Sequence, residues 1–211
     1  MTRSARLHAD GLTRCPWPGE DPFYMAYHDH EWGVPEHDDR ALYEKLILDG
    51  FQAGLSWITI LRKREAFRRA FAGFDFNVVA SFDEADVARL LDDASIVRHR
   101  GKIEAVISNA GRAVELVSEV GSLAAFVWGF EPSPRAGGLR REAIEAHTAE
   151  SRALAKELKR RGWRFVGPTT VYAFMQAMGL VNDHLEGCGA WSEVERARAK
   201  LERPAARTTT A

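Results

Sequence analysis

The stretch DGFQAGLSW, residues 49–57, sets a carboxylate, Asp49, and an indole, Trp57, on either side of Gly50, Gln52 and Gly54. The residues between them are small and flexible. By type alone the pair can be a helix-end acid in water and a core aromatic, or two walls of a binding site. A second concentration of chemistry lies upstream, where Cys15, Trp17, Tyr24, Tyr27, His28, His30, Trp32 and His37 crowd residues 14–37. A third lies near the other end, in His184-Leu-Glu-Gly-Cys188. Two Cys and two His make a closed tetrahedral zinc site, and the H-x3-C spacing lets one turn present both ligands. Four protein ligands leave no open position for water, so such a site is structural. Spacing does not choose among His28, His30 and His37, and two unrelated buried thiols with surface histidines is the alternative.

The elements that must position these groups are helical. Asp38 can cap a helix in which Leu42, Leu46, Ile47 and Phe51 form one apolar face, with Gly50 and Gly54 bending or breaking it. Ser56 can cap the next helix, carrying Ile58, Leu61 and Phe67 with Arg62, Lys63 and Arg64 between them. Ser81 and Glu84 read as a capping box before Val87, Leu90 and Leu91. A long helix follows with Ile103, Val106, Ile107, Ala110 and Val114 on one face. Ser122 starts a short apolar helix, 131–138 is a surface loop, and Thr148 opens a charged helix that stops at Gly162. Gly167-Pro168 opens another, which stops at Gly179. Residues 14–37 show almost no helical period and read as irregular. Strand signals are too isolated for a sheet, so the expectation is one mostly α-helical domain over 14–203. A disordered leader over 1–13 and a disordered tail over 204–211 flank it.

Between two of these helices lies Ser95-Ile-Val-Arg98-His-Arg100-Gly101-Lys102. A hairpin there points the second helix's N-terminal amides outward, beside Arg98, Arg100 and Lys102, which suits a phosphate. Gly101 permits close backbone approach. A solvated charged loop is the alternative.

The 211 residues carry a net charge of −1, so no global basic field coats nucleic acid, although a local basic face is allowed. No stretch has the length of a transmembrane helix, and the polar leader has no apolar core. The expectation is a cytoplasmic protein without membrane association, in which Cys15 and Cys188 do not form a disulfide.

The runs YHDHEWGVP (27–35), LDGFQAGLSW (48–57), IVRHRGKIEAVISNA (96–110) and GLVNDHLEGC (179–188) occur in one order. Together they closely resemble the DNA-3-methyladenine glycosylase I family, over roughly residues 14–190. The resemblance implies an all-α helix-hairpin-helix glycosylase fold with a structural zinc joining the N- and C-terminal segments. It assigns the ligands as Cys15, His28, His184 and Cys188. It implies hydrolysis of the N-glycosidic bond of 3-methyladenine in double-stranded alkylated DNA, with an abasic site and the free base as products. The alkylated base is cationic, so aromatic faces and one acid would separate it from neutral adenine. The resemblance makes Asp49 the base-reading and catalytic acid, Trp57 the stacking indole and Tyr27 a hydrogen-bonding tyrosine. Trp17, Tyr24 and Trp32 become further lining. Gly54-Leu55 would press into the gap left by the flipped base, and Arg98, Arg100, Gly101 and Lys102 would grip the backbone. This sequence departs from the best-known members in having Asp49 where they carry Glu, which sets the acid about one methylene further back. Its hairpin also holds only Gly101 where the wider superfamily is Gly-rich. A monomer acting on DNA is the simplest expectation. Two rivals remain: a bifunctional lyase using Lys102 as a Schiff-base lysine, and a noncatalytic zinc-stapled DNA-binding protein.

Overall fold

The computed structural model describes residues 4–205. Its centre is helix α2 (Asp39–Gln52), capped by the Asp38 side chain on the Ala41 amide at 2.8 Å. The apolar face expected from the sequence is buried: Leu42, Leu46, Ile47 and Phe51 are all 4% exposed or less. The helix continues through Gly50, and the chain turns at Gly54, whose φ of +85° favours glycine.

Around α2 the chain lays down α3 (Trp57–Arg62), α4 (Arg64–Ala70), α5 (Phe76–Val79), α6 (Glu84–Asp92), α7 (Arg100–Val120) and α8 (Leu123–Trp128). It then adds α9 (Ala149–Arg160), α10 (Pro168–Ala177) and α11 (Ala190–Lys200). Helix α2 packs on α7, α8 and α10, and α10 packs on α9. Several start signals act as expected. Ser122 caps α8, Thr148 forms a capping box with Ser151 at α9, and Pro168 sits in the first turn of α10.

Other expectations need correction. The capping box before α6 is formed by Asp83 and Asp86, two residues beyond the expected Ser81. On α7 the buried stripe runs Ile103, Val106, Ala110, Ala113 and Leu116, so Val114 faces outward. Residues 14–37 are not wholly irregular. They contain helix α1 (Pro22–His30), opened by the Asp21 carboxylate on the amides of Phe23 and Tyr24. The expected leader is ordered from residue 4 onward. Strand β1 (Arg6–Leu7) pairs antiparallel with β2 (Thr13–Arg14). The cause is Arg14, buried at 4% exposure and bound to Asp10 in the hairpin turn and to Asp29 on α1. Residues 1–3 of that leader, and 206–211 of the expected tail, lie outside the described residues.

Two hydrophobic clusters result. The large one is built from α2 to α10. The small one gathers Cys15, Leu139, Leu185 and Cys188, with Trp17 packed against it. The boundary between them is where Trp17, Asp49 and Trp57 meet.

Candidate active site and metal centre

Cys15, His28, His184 and Cys188 are all buried, and their ligand atoms lie within 4.8 Å of one another. Cys188 Sγ is 3.4 Å from His184 Nδ1 and 3.6 Å from His28 Nε2, and Cys15 Sγ is 3.8 Å from His184 Nδ1. The opposite ring nitrogens are held elsewhere: His28 Nδ1 by Asp29 at 2.8 Å, and His184 Nε2 by the Trp32 carbonyl at 3.1 Å. Each imidazole therefore presents one defined nitrogen inward, as a metal ligand does. The carboxylate behind His28 is itself fixed by Arg14 at 2.7 Å. Burial raises the Asp29 carboxyl, but hydrogen bonds from Arg14 and His28 outweigh it and hold the group below the usual range. Without a metal the two thiols oppose each other. Their hydrogen bond pulls Cys188 down, and that bond together with burial pushes Cys15 up.

Beside this centre opens a cavity of about 390 Å³. Trp17, Tyr24, Tyr27, Trp32, Asp49 and Trp57, the six residues expected in a pocket, all line it. Helix α1 supplies Tyr24 and Tyr27, and the last turn of α2 supplies Asp49. Trp17 is the hub, with ring centroids 4.9 Å from Tyr24, 5.2 Å from Trp32 and 5.1 Å from His28. The last contact ties the aromatic wall to the Cys/His cluster. Tyr27 is buried at 5% exposure and lies 5.7 Å from Trp57. Burial first, and the Asp49 charge second, push its phenol well up, so it stays protonated at neutral pH.

Two carboxylates face the cavity. Asp183 is fully engaged, accepting from Tyr172, from Gln176 at 2.8 Å and from Arg135 at 3.0 Å. Asp49, 3% exposed, is different: Oδ1 accepts from Lys45 at 2.6 Å, while Oδ2 has no protein partner. A buried carboxylate oxygen without a donor is costly, so this atom marks where a ligand would bind. Burial pushes the Asp49 carboxyl up and the Lys45 ammonium down, and their mutual attraction opposes both shifts. The sequence reading missed Lys45, although its i,i+4 spacing to Asp49 on one helix face was visible. It also missed Asp183, which nothing local distinguishes, and Leu139 and Ile144, which the 131–148 loop adds to the wall.

The loop after Asp49 carries Gly54 and Leu55 to the surface, where Leu55 is 44% exposed and its amide bonds Gln52 O at 2.6 Å. In the hairpin, Arg98 is exposed and has no ion-pair partner among the described residues. Arg100 is exposed and paired with Glu84 at 2.8 Å. His99 caps α7 by accepting from the Lys102 amide at 3.2 Å, and Gly101 lies beside its ring. Helix geometry leaves the first-turn amides of Arg100 and Gly101 without intrahelical acceptors. Lys102 is a correction. It is 8% exposed and turned inward, its Nζ donating to Phe51 O at 2.9 Å and Ala53 O at 2.8 Å. Those are end carbonyls of α2, which a cation satisfies well, so Lys102 does not reach a phosphate. The basic cluster after Trp57 is likewise tied up: Arg62 pairs with Asp21, Arg64 with Glu31, and Lys63 reaches Ser95 O at 2.7 Å.

Residues 17–191 match the methyladenine glycosylase family. The chain is 50% identical over 180 residues to DNA-3-methyladenine glycosylase 1 of Escherichia coli K12, covering 84% of this chain and 96% of that one. It is 44% identical over 178 residues to the DNA-3-methyladenine glycosylase of Haemophilus influenzae, covering 83% and 96%. Among solved structures, a crystal structure of 3-methyladenine DNA glycosylase I superimposes with TM-score 0.79 at 52% identity, covering 83% of this chain and 98% of that one. The Staphylococcus aureus enzyme, in a structure of 3-methyladenine recognition, superimposes with TM-score 0.79 at 36% identity, covering 84% and 95%.

Proposed function

The chain belongs to the methyladenine glycosylase family, and from that premise we propose how its own residues carry the reaction. It is a monofunctional DNA-3-methyladenine glycosylase, which hydrolyses the N-glycosidic bond of 3-methyladenine in alkylated DNA and leaves an abasic site. The observation that carries the residue assignment is Asp49 Oδ2, a buried and unpartnered carboxylate oxygen in an aromatic cavity.

The target nucleotide leaves the stack at a cost of about a few kcal/mol, with Leu55 filling the gap. The base enters between the aromatic walls. Trp57 stacks on it, Tyr27 hydrogen-bonds its edge, and Trp17, Tyr24 and Trp32 exclude water. Asp49 Oδ2 accepts from the base edge. A cationic purine is already a good leaving group, so little protonation is needed. The electron pair of the glycosidic bond moves onto the purine, water adds at the sugar carbon, and the water proton passes to solvent. Asp49 stabilises the positive charge that develops on the sugar. Arg98, with Arg100 and the free amides of Arg100 and Gly101, grips the DNA backbone. The lyase rival loses support, because the Lys102 ammonium is held by two carbonyls and does not line the cavity.

The metal is zinc, one per chain, in a structural role. Tetrahedral Zn–S and Zn–N bonds give ligand–ligand edges of about 3.3–3.8 Å; three of the six donor pairs, at 3.4, 3.6 and 3.8 Å, fall in that range, and all six lie within 4.8 Å. Cys15 and His28 from the N-terminal segment and His184 and Cys188 from the C-terminal one would hold it, and it would supply rigidity to the cavity wall. Double-stranded DNA is the partner and the protein acts as a monomer in the cytoplasm. No described helix is long and apolar enough to cross a membrane. The test is chromatography of bases released from N-methylated duplex DNA, with Asp49→Ala in parallel. Release of 3-methyladenine by the parent protein and its loss in the variant is the expected result. No release by the folded, zinc-loaded protein overturns the assignment.

A further inference from the structure

The acid of the cavity is held by a single donor. Asp49 is 3% exposed, and the one side chain that reaches it is Lys45, whose Nζ lies 2.6 Å from Oδ1. The plane of an aspartate carboxylate turns about a soft terminal torsion, so the side chain by itself does not fix which oxygen faces a ligand. A carboxylate this deep also sheds its charge by taking up a proton, unless a counter-charge stands beside it. Lys45 meets both needs. It stands one turn before Asp49 on α2, it is buried, and its ammonium lies 3.3 Å from the centroid of the Trp57 ring. Carboxylate and indole therefore hold the ammonium in one place. Resting on the functional reading above, we propose that Lys45 is the positioning residue of Asp49. Its ammonium fixes Oδ1 and supplies the counter-charge of a buried carboxylate, so that Oδ2 is presented to the base as a charged acceptor.

No neighbouring group can take over this part. A second cavity of about 230 Å³ shares Tyr27, Lys45 and Trp57 with the first, and its charged lining is His30, Glu31, Glu36, Glu44, Arg64 and Arg68. The two arginines there are already matched, Arg64 with Glu31 and Arg68 with Glu44. Across the aromatic cavity Asp183 has three donors of its own, and the Tyr27 phenol stays protonated. Among the described residues Lys45 is the one ion-pair partner of Asp49. Burial pushes the Asp49 carboxyl up, and the attraction of Lys45 opposes that shift. Without the lysine the opposition is gone, and the carboxyl holds a proton at a pH where the parent's is ionised. A neutral carboxyl does not stabilise the positive charge that develops on the sugar.

The experiment uses the full-length zinc-loaded protein and two variants, with thermal melts to check that each is folded. Lys45→Met keeps the stem and removes the charge and the donor. Lys45→Arg keeps both, and the second cavity leaves room for the longer side chain. Single-turnover excision of 3-methyladenine from methylated duplex DNA is followed between about pH 6 and 9. At neutral pH Lys45→Met is expected to fall about tenfold or more. Its deficit shrinks as the pH rises, because the carboxyl ionises later, while Lys45→Arg keeps most of the parent's rate and profile. A packing role alone lowers the rate by the same factor at every pH. That result, an unchanged Lys45→Met, or a Lys45→Arg no better than it, overturns the proposal. A parent protein that releases no 3-methyladenine overturns the functional reading, and the proposal with it. If the parent is active and the profiles coincide, only the role of Lys45 falls.

Discussion

Lys102 stands in a basic hairpin beside an exposed arginine, yet its ammonium is bonded to Phe51 O and Ala53 O at 2.9 and 2.8 Å. Replacing it with Met keeps the stem and removes both bonds. Hydrogen bonds from a charged donor contribute about 1.5–3 kcal/mol each. The Ala53 residue is exposed, and water can take over part of its bond, so the low end applies and the sum is about 3 kcal/mol. For a chain of this length that corresponds to about 6–12 °C in Tm. Calorimetry of the zinc-loaded variant measures it. The same variant discriminates the two roles of the lysine through salt dependence. A phosphate contact would carry a slope of about 0.9 in log K against log salt. The expected result is a lowered Tm with the DNA-binding salt slope unchanged. A slope reduced by about one, with Tm unmoved, would refute the inward assignment and return Lys102 to the DNA surface.

Asp49→Asn keeps volume and removes the charge; single-turnover excision of 3-methyladenine is expected to fall about a hundredfold, and an unchanged rate would remove the acid from the mechanism. Cys188→Ser should lose bound zinc, read by metal analysis, and lower the melting temperature, since a structural site adds its binding energy to folding. Retained stoichiometric zinc would refute the ligand set. Gly179→Ala should destabilise by more than about 3 kcal/mol in urea titration. Its φ is +73° and an added Cβ would lie 2.6 Å from Gly33 O and the Pro35 backbone. A milder loss would mean the junction between α1 and α10 can yield.

What was legible in the sequence is local or carried by the family resemblance. Asp38, Ser122 and Thr148 announce helices because a cap and its amide are three residues apart, and Pro168 because its fixed φ suits a first turn. The pocket residues were identified through the runs that resemble the family, since residue type alone does not separate a lining tryptophan from a core one. Helix α1 escaped notice because Tyr27 and His28 bury toward the cavity and the Cys/His cluster, so no apolar period marks it. Asp21 followed by Pro22 was the available signal. The direction of Lys102 depends on where α2 ends, fifty residues earlier in the chain. The order in the leader likewise depends on Asp29, which Arg14 reaches only after α1 is folded.

The cluster of Cys15, His28, His184 and Cys188 joins positions up to 170 or more residues apart. Trp17 packs on one of its imidazoles, and the Trp32 carbonyl binds the other. During translation, therefore, the Trp32 carbonyl meets its histidine only after His184 has left the ribosome. A chain ending before residue 184 would contain the hairpin, the Gly54-Leu55 loop and Asp49, but not the turn that supplies His184 and Cys188.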